Sequence, residues 1–372
     1  MIRPLKSRIY RIGPLNQETY RRIVSGQNQG FGARVLRLLL RGVALIYGLA
    51  VRLRNLGYRW GILRSHAAGV PVISIGNITA GGTGKTPLVI WLCNYLQNKG
   101  IRCSILTRGY KTQSGDISDE PALLAKSCEG TSVVINPNRL AGAHKAVSVH
   151  QAQAIVMDDG FQHRKLWRDL DIVAVDATCP FGYGRILPAG LLREPISGLA
   201  RASAVVITRA DQVSGEALDA IEQHTRRYVP TIPIAKTVHK LSHAVSYPNQ
   251  VIGLEELRSR KVYAFCGIGN PQAFFDSLKR NTIALCGTKT FDDHHAYTRA
   301  DVEQIFTEAA ACGATVILCT QKDWIKNALL APSREGIVFA YLAMELDFLE
   351  GVDKITGLMD SLLDTTNGKC SV

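Results

Sequence analysis

One stretch of the chain constrains its fold more than any other. The short β-branched run Val70-Pro71-Val72-Ile73-Ser74-Ile75-Gly76 leads directly into Asn77-Ile78-Thr79-Ala80-Gly81-Gly82-Thr83-Gly84-Lys85-Thr86, and then into Pro87-Leu88-Val89-Ile90-Trp91-Leu92. A buried strand, a glycine-rich turn and a helix in that order gather backbone N–H groups and a helix N-terminus around one point, which is how a chain cradles phosphate. In such a P-loop Lys85 reaches the β and γ phosphates of ATP and Thr86 ligates Mg²⁺. Thr79, Ala80, Gly81, Gly82, Thr83, Gly84, Lys85 and Thr86 are therefore the expected nucleotide-binding residues. The strict pattern has glycine five positions before Gly84, where this chain has Thr79. The competing reading is a glycine-rich strand-to-helix turn that happens to end in Gly-Lys-Thr.

A phosphate site of this type needs an acidic Mg²⁺ partner at the end of a neighbouring strand. The apolar run Ala152 to Met157 ends in Asp158-Asp159-Gly160, which makes Asp158 and Asp159 the candidates, against a reading in which the pair only caps a turn. Two further strand patterns, Asp171 to Asp176 and Ala204 to Thr208, complete a mostly parallel α/β sheet whose chemistry belongs at the strand C-termini.

Charge is distributed unevenly. Residues 1–65 carry 13 Lys and Arg against the single acid Glu18, whereas the remaining 307 residues hold 31 basic and 30 acidic side chains. The net charge of +13 thus belongs to the N-terminal sixth, and a nucleic-acid binder with a basic surface throughout is not expected. Within that segment Ala33 to Leu63 is apolar, with arginines at 34, 37, 41, 52, 54 and 59 and no acid. Its longest charge-free stretch, Gly42 to Val51, is ten residues; a spanning helix needs about 20. The composition predicts an amphipathic helix lying in an anionic membrane interface. The alternative is a helix packed on its own domain with its arginines in water. Nine cysteines without a Cys-x-x-Cys pair, and no apolar signal region within Met1 to Leu15, point to a reducing, cytosolic setting.

A set of motifs in fixed order makes the reading specific. Gly76 to Pro87 is followed by Arg108-Gly109-Tyr110, Asp119-Glu120-Pro121, Asp158-Asp159-Gly160-Phe161-Gln162-His163-Arg164, Leu187-Pro188-Ala189-Gly190 and Leu192-Arg193-Glu194-Pro195. Phe265 to Pro271, Asp293-His294-His295 and Thr320-Gln321-Lys322-Asp323 complete the series. Together these resemble the tetraacyldisaccharide 4'-kinase (lipid A 4'-kinase) family from about residue 35 to 325. The resemblance implies transfer of the ATP γ-phosphate, with Mg²⁺, to the 4'-hydroxyl of a tetraacyl glucosamine disaccharide 1-phosphate, giving lipid IVA at the cytoplasmic face of the bacterial inner membrane. It implies catalytic roles for Asp119, His294 and Lys85, with His294 preferred to His295, and a metal role for Thr86, Asp158 and Asp159. Asn77, Arg108, Gln162, His163, Arg193, Glu194 and His295 are the candidate substrate-lining residues. Without the resemblance, Asp119 reads as a loop cap and His294 as a solvated loop histidine. Phe181-Gly182-Tyr183-Gly184 stands where the family has Phe-Gly-Asn-Gly, and residues 1–32 lie outside the match.

The expected architecture is α/β: a P-loop NTPase-like, mostly parallel sheet domain with an N-terminal membrane-docking helix, plus a second smaller α/β domain joined by a strand linker. The expected boundaries are a basic leader and interfacial helix over 1–66, a kinase domain over 67–235, a linker over 236–260 and the smaller domain over 261–372, its last helix packing back on the first. The expected partners are the acylated disaccharide lipid and an anionic membrane surface, with no nucleic acid and no obligate protein partner. Two other function classes compete: a membrane NTPase that turns over without an acceptor, and a non-catalytic scaffold with a degenerate nucleotide site.

Overall fold

The computed structural model of the protein describes residues 17–109, 119–248, 250–268, 271–292, 295–328, 330 and 336–367. In chain order the first half contains α1 (Gln17–Val24), α2 (Phe31–Arg59), β1 (Val72–Gly76), α3 (Lys85–Asn98), β2 (Cys103–Thr107), α4 (Asp119–Ser127), β3 (Ser132–Ile135), α5 (Arg139–Ser148), β4 (Ala154–Asp158), β5 (Leu170–Asp176), β6 (Ala204–Thr208) and α6 (Gly215–Arg226). The second half contains β7 (Ile234–Ser246), β8 (Gln250–Gly253), α7 (Leu254–Arg258), β9 (Val262–Cys266), α8 (Pro271–Arg280), β10 (Leu285–Thr290), α9 (Arg299–Ala311), β11 (Val316–Thr320), α10 (Gln321–Asn327), β12 (Val338–Glu350) and α11 (Val352–Asn367).

One twelve-stranded sheet runs through both halves in the order β10-β9-β11-β12-β7-β6-β5-β1-β4-β2-β3, with β8 pairing beside β7. From β3 to β7 every neighbouring pair is parallel, and so is every pair from β12 to β10. Direction reverses once along this order, where β7 and β12 pair antiparallel from Ala340↔Ser246 to Glu350↔Lys236. Residues 236–260, expected as a strand linker, hold most of β7 together with β8 and α7. The start of β7 pairs with β6 through Ile234 to Lys236, while its end pairs with β8 and with the part of β12 next to β11. Because the two parallel sets oppose each other along this ribbon, their C-terminal strand ends face one another. Contacts join the halves there: α4 packs against α10, Gln321 Nε2 donates to Ser127 Oγ at 3.0 Å, and the Lys126 ammonium lies over the rings of Trp324 and Tyr341.

The strands of the first half other than the edge strand β3 are wholly buried runs, as a sheet covered on both faces requires. On one face Ile73, Ile75 and Val156 meet Leu88, Leu92 and Leu96 of α3, together with Ile355, Met359 and Leu363 of α11, which returns from the far end of the chain. On the other, Val173, Val175, Val205 and Ile207 pack with Phe161, Leu192 and Leu199. The second half has its own two layers, one around Phe274, Phe275 and Leu278 and one around Phe265, Phe306 and Trp324.

Helix α2 is 29 residues, about 43 Å long at 1.5 Å per residue. Only Gly48, Val51 and Gly57 of it are buried, and this narrow line of small residues lets the helix lie close on the body. A methyl group at Gly48 would sit 3.4 Å from Ile186 Cδ1. The helix stops at Arg59 rather than running on to Leu63, because Gly61 turns back with φ +75° while the Leu63 N–H bonds to Gly57 O. On its free side Phe31, Leu45 and Ile46 are 82%, 76% and 73% exposed. Among the described residues no helix is long and apolar enough to cross a membrane.

Met359 has no exposed surface and anchors α11 in the first-half core. Met359→Ala is expected to cost about 2–5 kcal/mol, read as a lower urea midpoint at unchanged slope. A loss under about 0.5 kcal/mol, the range of an ordinary surface substitution, would show that α11 is not part of that core.

Candidate active site

The phosphate loop is built from beneath. Asn77, fully buried at the end of β1, donates its amide to Thr79 O at 2.7 Å and to Thr83 Oγ1 at 3.0 Å, so one side chain fixes both flanks of the turn. The Thr208 hydroxyl at the end of β6 donates to Thr83 O at 2.9 Å, and Arg209, ion-paired with Asp176, donates to Gly82 O at 3.0 Å. Gly81 and Gly84 take positive φ of 121° and 73°, where a side chain would be strained. Thr79 does not. It forms an antiparallel bridge with Leu192, flanked by Ala80 N to Leu191 O at 2.6 Å and Arg193 N to Ile78 O at 2.8 Å. The departure from the strict glycine pattern therefore falls at an extended, buried position where threonine is well suited.

Charge gathers where β1 and β4 end. Lys85, in the first turn of α3, lies 3.4 Å from Asp159, and Arg193 Nη1 donates to both Asp159 oxygens at 2.9 and 2.7 Å. Asp159 itself adopts φ +51°. Burial would raise its pKa, but the charges of Lys85 and Arg193 together outweigh burial and hold the carboxyl below the usual aspartate value. Asp158, buried at the tip of β4, accepts a 3.5 Å bond from Thr107 Oγ1, and its backbone carbonyl accepts from Arg139. Thr86 is in the first turn of α3 beside Lys85. Hydroxyl and carboxylate oxygens at a phosphate loop form an all-oxygen donor set, which suits a hard divalent cation.

The other residues singled out by sequence divide by position. Gln162 bridges the loop to the interior, donating to Asn77 O at 2.8 Å and Glu194 Oε1 at 2.9 Å. Glu194 has no exposed surface and takes both oxygens to Arg201 at 3.0 and 2.9 Å, so Asn77 and Glu194 support the site from below. His163 is half-buried, and burial, then the Arg139 charge, lowers its pKa. Arg108 is exposed just past β2. Asp119 opens α4, whose last turn meets α10, but its side chain lies outside the described residues, as does all of His294. His295 is described: its Nε2 is 3.3 Å from Asp301 and its ring packs on Phe291 and Tyr297.

Opposite the phosphate loop, wholly buried Asp323 organises the strand ends of the second half. It accepts bonds from Gly267 N at 3.1 Å, Tyr297 Oη at 2.9 Å and Thr320 Oγ1 at 2.6 Å. Burial, then the charge of Asp323, pushes the Tyr297 phenol far above its ordinary range.

Sequence reasoning did not single out Thr208, Arg209 or His239. The first two end a strand of the sheet, where site residues concentrate, and that position is a usable signal. His239 carries none, because it sits inside the long alternating strand β7. Its ring atoms stand 3.0 Å from where a Cβ at Gly84 would be, and its Nε2 is buried without a hydrogen-bond partner.

Residues 36–363 match the family described as tetraacyldisaccharide-1-P 4'-kinase. The chain is 37% identical over 348 residues to the tetraacyldisaccharide 4'-kinase of Chlorobaculum tepidum, covering 87% of this chain and 96% of that protein. It is 34% identical over 372 residues to that of Desulfatibacillum aliphaticivorans, covering 93% and 97%. A crystal structure of LpxK from Aquifex aeolicus in complex with ATP superposes with a TM-score of 0.72 at 30% identity, over 88% of this chain and 99% of that one.

Burial, then the neighbouring Arg209 charge, lowers the His239 pKa from 6.5 to about 4, with Asp211 and Asp176 opposing. An imidazole titration by NMR should find its midpoint near 4, with the ring neutral at pH 7. The unfolded chain then binds the extra proton between pH 6.5 and 4, so this contribution to stability is present above that window and is lost as pH falls through it. A midpoint near 6.5 would show that the ring is solvated rather than packed against Gly84.

Proposed function

Because the chain belongs to the tetraacyldisaccharide-1-P 4'-kinase family and is a kinase of lipid A biosynthesis, we propose that it transfers the γ-phosphate of ATP to the 4'-hydroxyl of a tetraacyl glucosamine disaccharide 1-phosphate, forming lipid IVA. The observation that carries this reading is the cluster of Lys85, Asp159 and Arg193 beside the phosphate loop, at strand ends that face the second half of the sheet.

In the mechanism that follows, residues 79–86 hold the ATP phosphates through backbone N–H groups and the N-terminus of α3. Lys85 exchanges its contact with Asp159 for phosphate oxygens, and Arg193 faces the charge that builds on the transferred group. Thr86 and Asp158 with Asp159 would hold Mg²⁺, which would supply neutralisation of phosphate charge. Asp119 accepts the proton of the attacking 4'-hydroxyl, and His294, from the other half of the sheet, orients or tunes it. We assign Arg108, Gln162, His163 and His295 to the lining of the acceptor site. We assign residues 67–235 to the kinase lobe and 261–372 to a smaller lobe joined through 236–260, with α11 packing back on the first lobe through Ile355, Met359 and Leu363.

The test is transfer of radiolabelled γ-phosphate to a purified tetraacyl disaccharide 1-phosphate in detergent. Wild type is expected to label the lipid, Lys85→Ala to lose that activity, and Asp119→Ala to lose a factor of about 10² to 10⁴. Acceptor-independent ATP hydrolysis with no labelled lipid, insensitive to Asp119→Ala, would replace the kinase reading with that of a membrane NTPase.

A lipid acceptor must be met at its surface, and α2 is suited to lie there, peripheral to the cytoplasmic face of the inner membrane. It combines an exposed row of Phe31, Leu38, Leu45 and Ile46 with arginines that can meet anionic headgroups. Leu45→Glu with Ile46→Glu removes two exposed apolar side chains and should lower binding to phosphatidylglycerol vesicles at least about tenfold while leaving thermal unfolding unchanged. Undiminished flotation with such vesicles would show that α2 does not dock.

A further inference from the structure

Helix α1 precedes residue 36, where the match to the kinase family begins, and the site as described so far makes no use of it. It is nevertheless fastened close to the phosphate loop. Ile23 and Val24 are buried, and Arg37 of α2 donates to Ile23 O at 3.2 Å. Tyr20 Oη donates to Pro188 O at 2.9 Å, with Gly190 O at 3.1 Å. The residues that follow are those that pair with the loop, since Leu191 O accepts from Ala80 N and Arg193 N donates to Ile78 O. The short helix and the loop therefore rest on one support.

This attachment brings Arg21 to the loop itself. A Cβ on Gly81 would stand 3.1 Å from Arg21 Nη2, and among the described residues no other atom beyond the chain neighbours comes within 4 Å of that point. The same guanidinium is felt at the turn that carries Tyr183 in place of the family's asparagine. Burial raises the Cys179 thiol and the Tyr183 phenol, and the Arg21 charge opposes the rise in both. Arg209 reaches the loop as well, but as a brace: it is ion-paired with Asp176 and donates to Gly82 O. Arg21 has neither kind of partner. Among the described residues no carboxylate lies within 4.0 Å of it and no hydrogen bond engages its guanidinium.

A guanidinium is a set of N–H donors in a rigid fork, and phosphate oxygens are its best-matched acceptors. Held half-buried against a phosphate loop with its donors unused, Arg21 is complementary to a group that arrives with the nucleotide. Charge already in position costs no reorganisation when negative charge spreads over the transferred group. Phosphoryl-transfer enzymes use an arginine brought to the phosphate loop from another element for this purpose. Resting on the kinase reading above, we propose that Arg21 is a catalytic residue of this chain, its guanidinium touching the γ-phosphate of the bound nucleotide and adding, from α1, to the charges of Lys85 and Arg193.

Calorimetric binding of a nonhydrolysable ATP analogue and of ADP, each with Mg²⁺, separates this contact from a structural role, because ADP lacks the γ-phosphate. Arg21→Gln keeps a good helix former and breaks no bond within the chain, so the fold is not at risk. It should weaken the ATP analogue about ten- to a hundredfold and leave ADP within about twofold of wild type. Arg22→Gln, which removes the same charge from the next and exposed position, should leave both nucleotides unchanged. In lipid phosphorylation Arg21→Gln should lower kcat by about 10² to 10³ at unchanged KM for the lipid, and added guanidinium ion should restore part of the rate to Arg21→Ala but not accelerate wild type. Equal weakening of the two nucleotides, unchanged binding of both, the same discrimination lost in Arg22→Gln, or no response of Arg21→Ala to guanidinium would overturn the proposal. Failure of the kinase reading is separate: wild type would label no lipid, and the comparison of the ATP analogue with ADP would still decide whether Arg21 meets the γ-phosphate.

Discussion

A parallel sheet offers its chemistry at one edge, where the strands end and the loops begin. The antiparallel pairing of β7 with β12 is therefore the constraint on which this structure turns. Had β12 run parallel to β7, the two sets of strand ends would point the same way, and residues of the second half could not meet the phosphate loop. With the direction reversed once, Gly267, Tyr297 and Thr320, tied together by Asp323, face the ends of β1, β2 and β4. The two halves then face each other across their strand ends without a flexible tether, because the connection is itself part of the sheet.

Buried charge in the candidate site is arranged in groups rather than pairs. Asp159 is shared by Lys85 and Arg193, and Glu194 by Arg201, Gln162 and Asn55. An isolated carboxylate at such depth would be costly, and a single partner offsets burial poorly unless the remaining lone pairs are also satisfied. The grouping has a functional side. In the proposed mechanism Lys85 leaves Asp159 for a phosphate oxygen while Asp159 keeps its arginine.

Much of the first half was legible in sequence because its strands are uninterrupted apolar runs that stop at polar residues. Ala204–Thr208 coincides with β6, and the strand before the glycine loop differs from β1 only at its start. The glycine loop declared itself through Gly81 and Gly84, the two positions whose backbone requires the residue. Thr79 looked like a defect because sequence gives no hint that residues 190–193 pair with the loop. The same blindness to long-range pairing hid His239 and Arg201, whose importance comes from what lies opposite them. Sequence grouped Asn77 and Glu194 with the lining residues because motif membership does not distinguish a side chain facing a ligand from one bracing the loop that does.

Residues 190–194 are gripped from two directions. The phosphate loop pairs with them on one side, and α2 bonds to them on the other through Tyr47 Oη to Arg193 O and Asn55 Nδ2 to Glu194. The helix and the loop that surrounds phosphate are thus two arms of a lever with a common fulcrum five residues long. Tilting the helix against the body loads that fulcrum directly, so mechanical stress on the outer arm is transmitted to the inner one through a handful of bonds rather than dissipated across the fold.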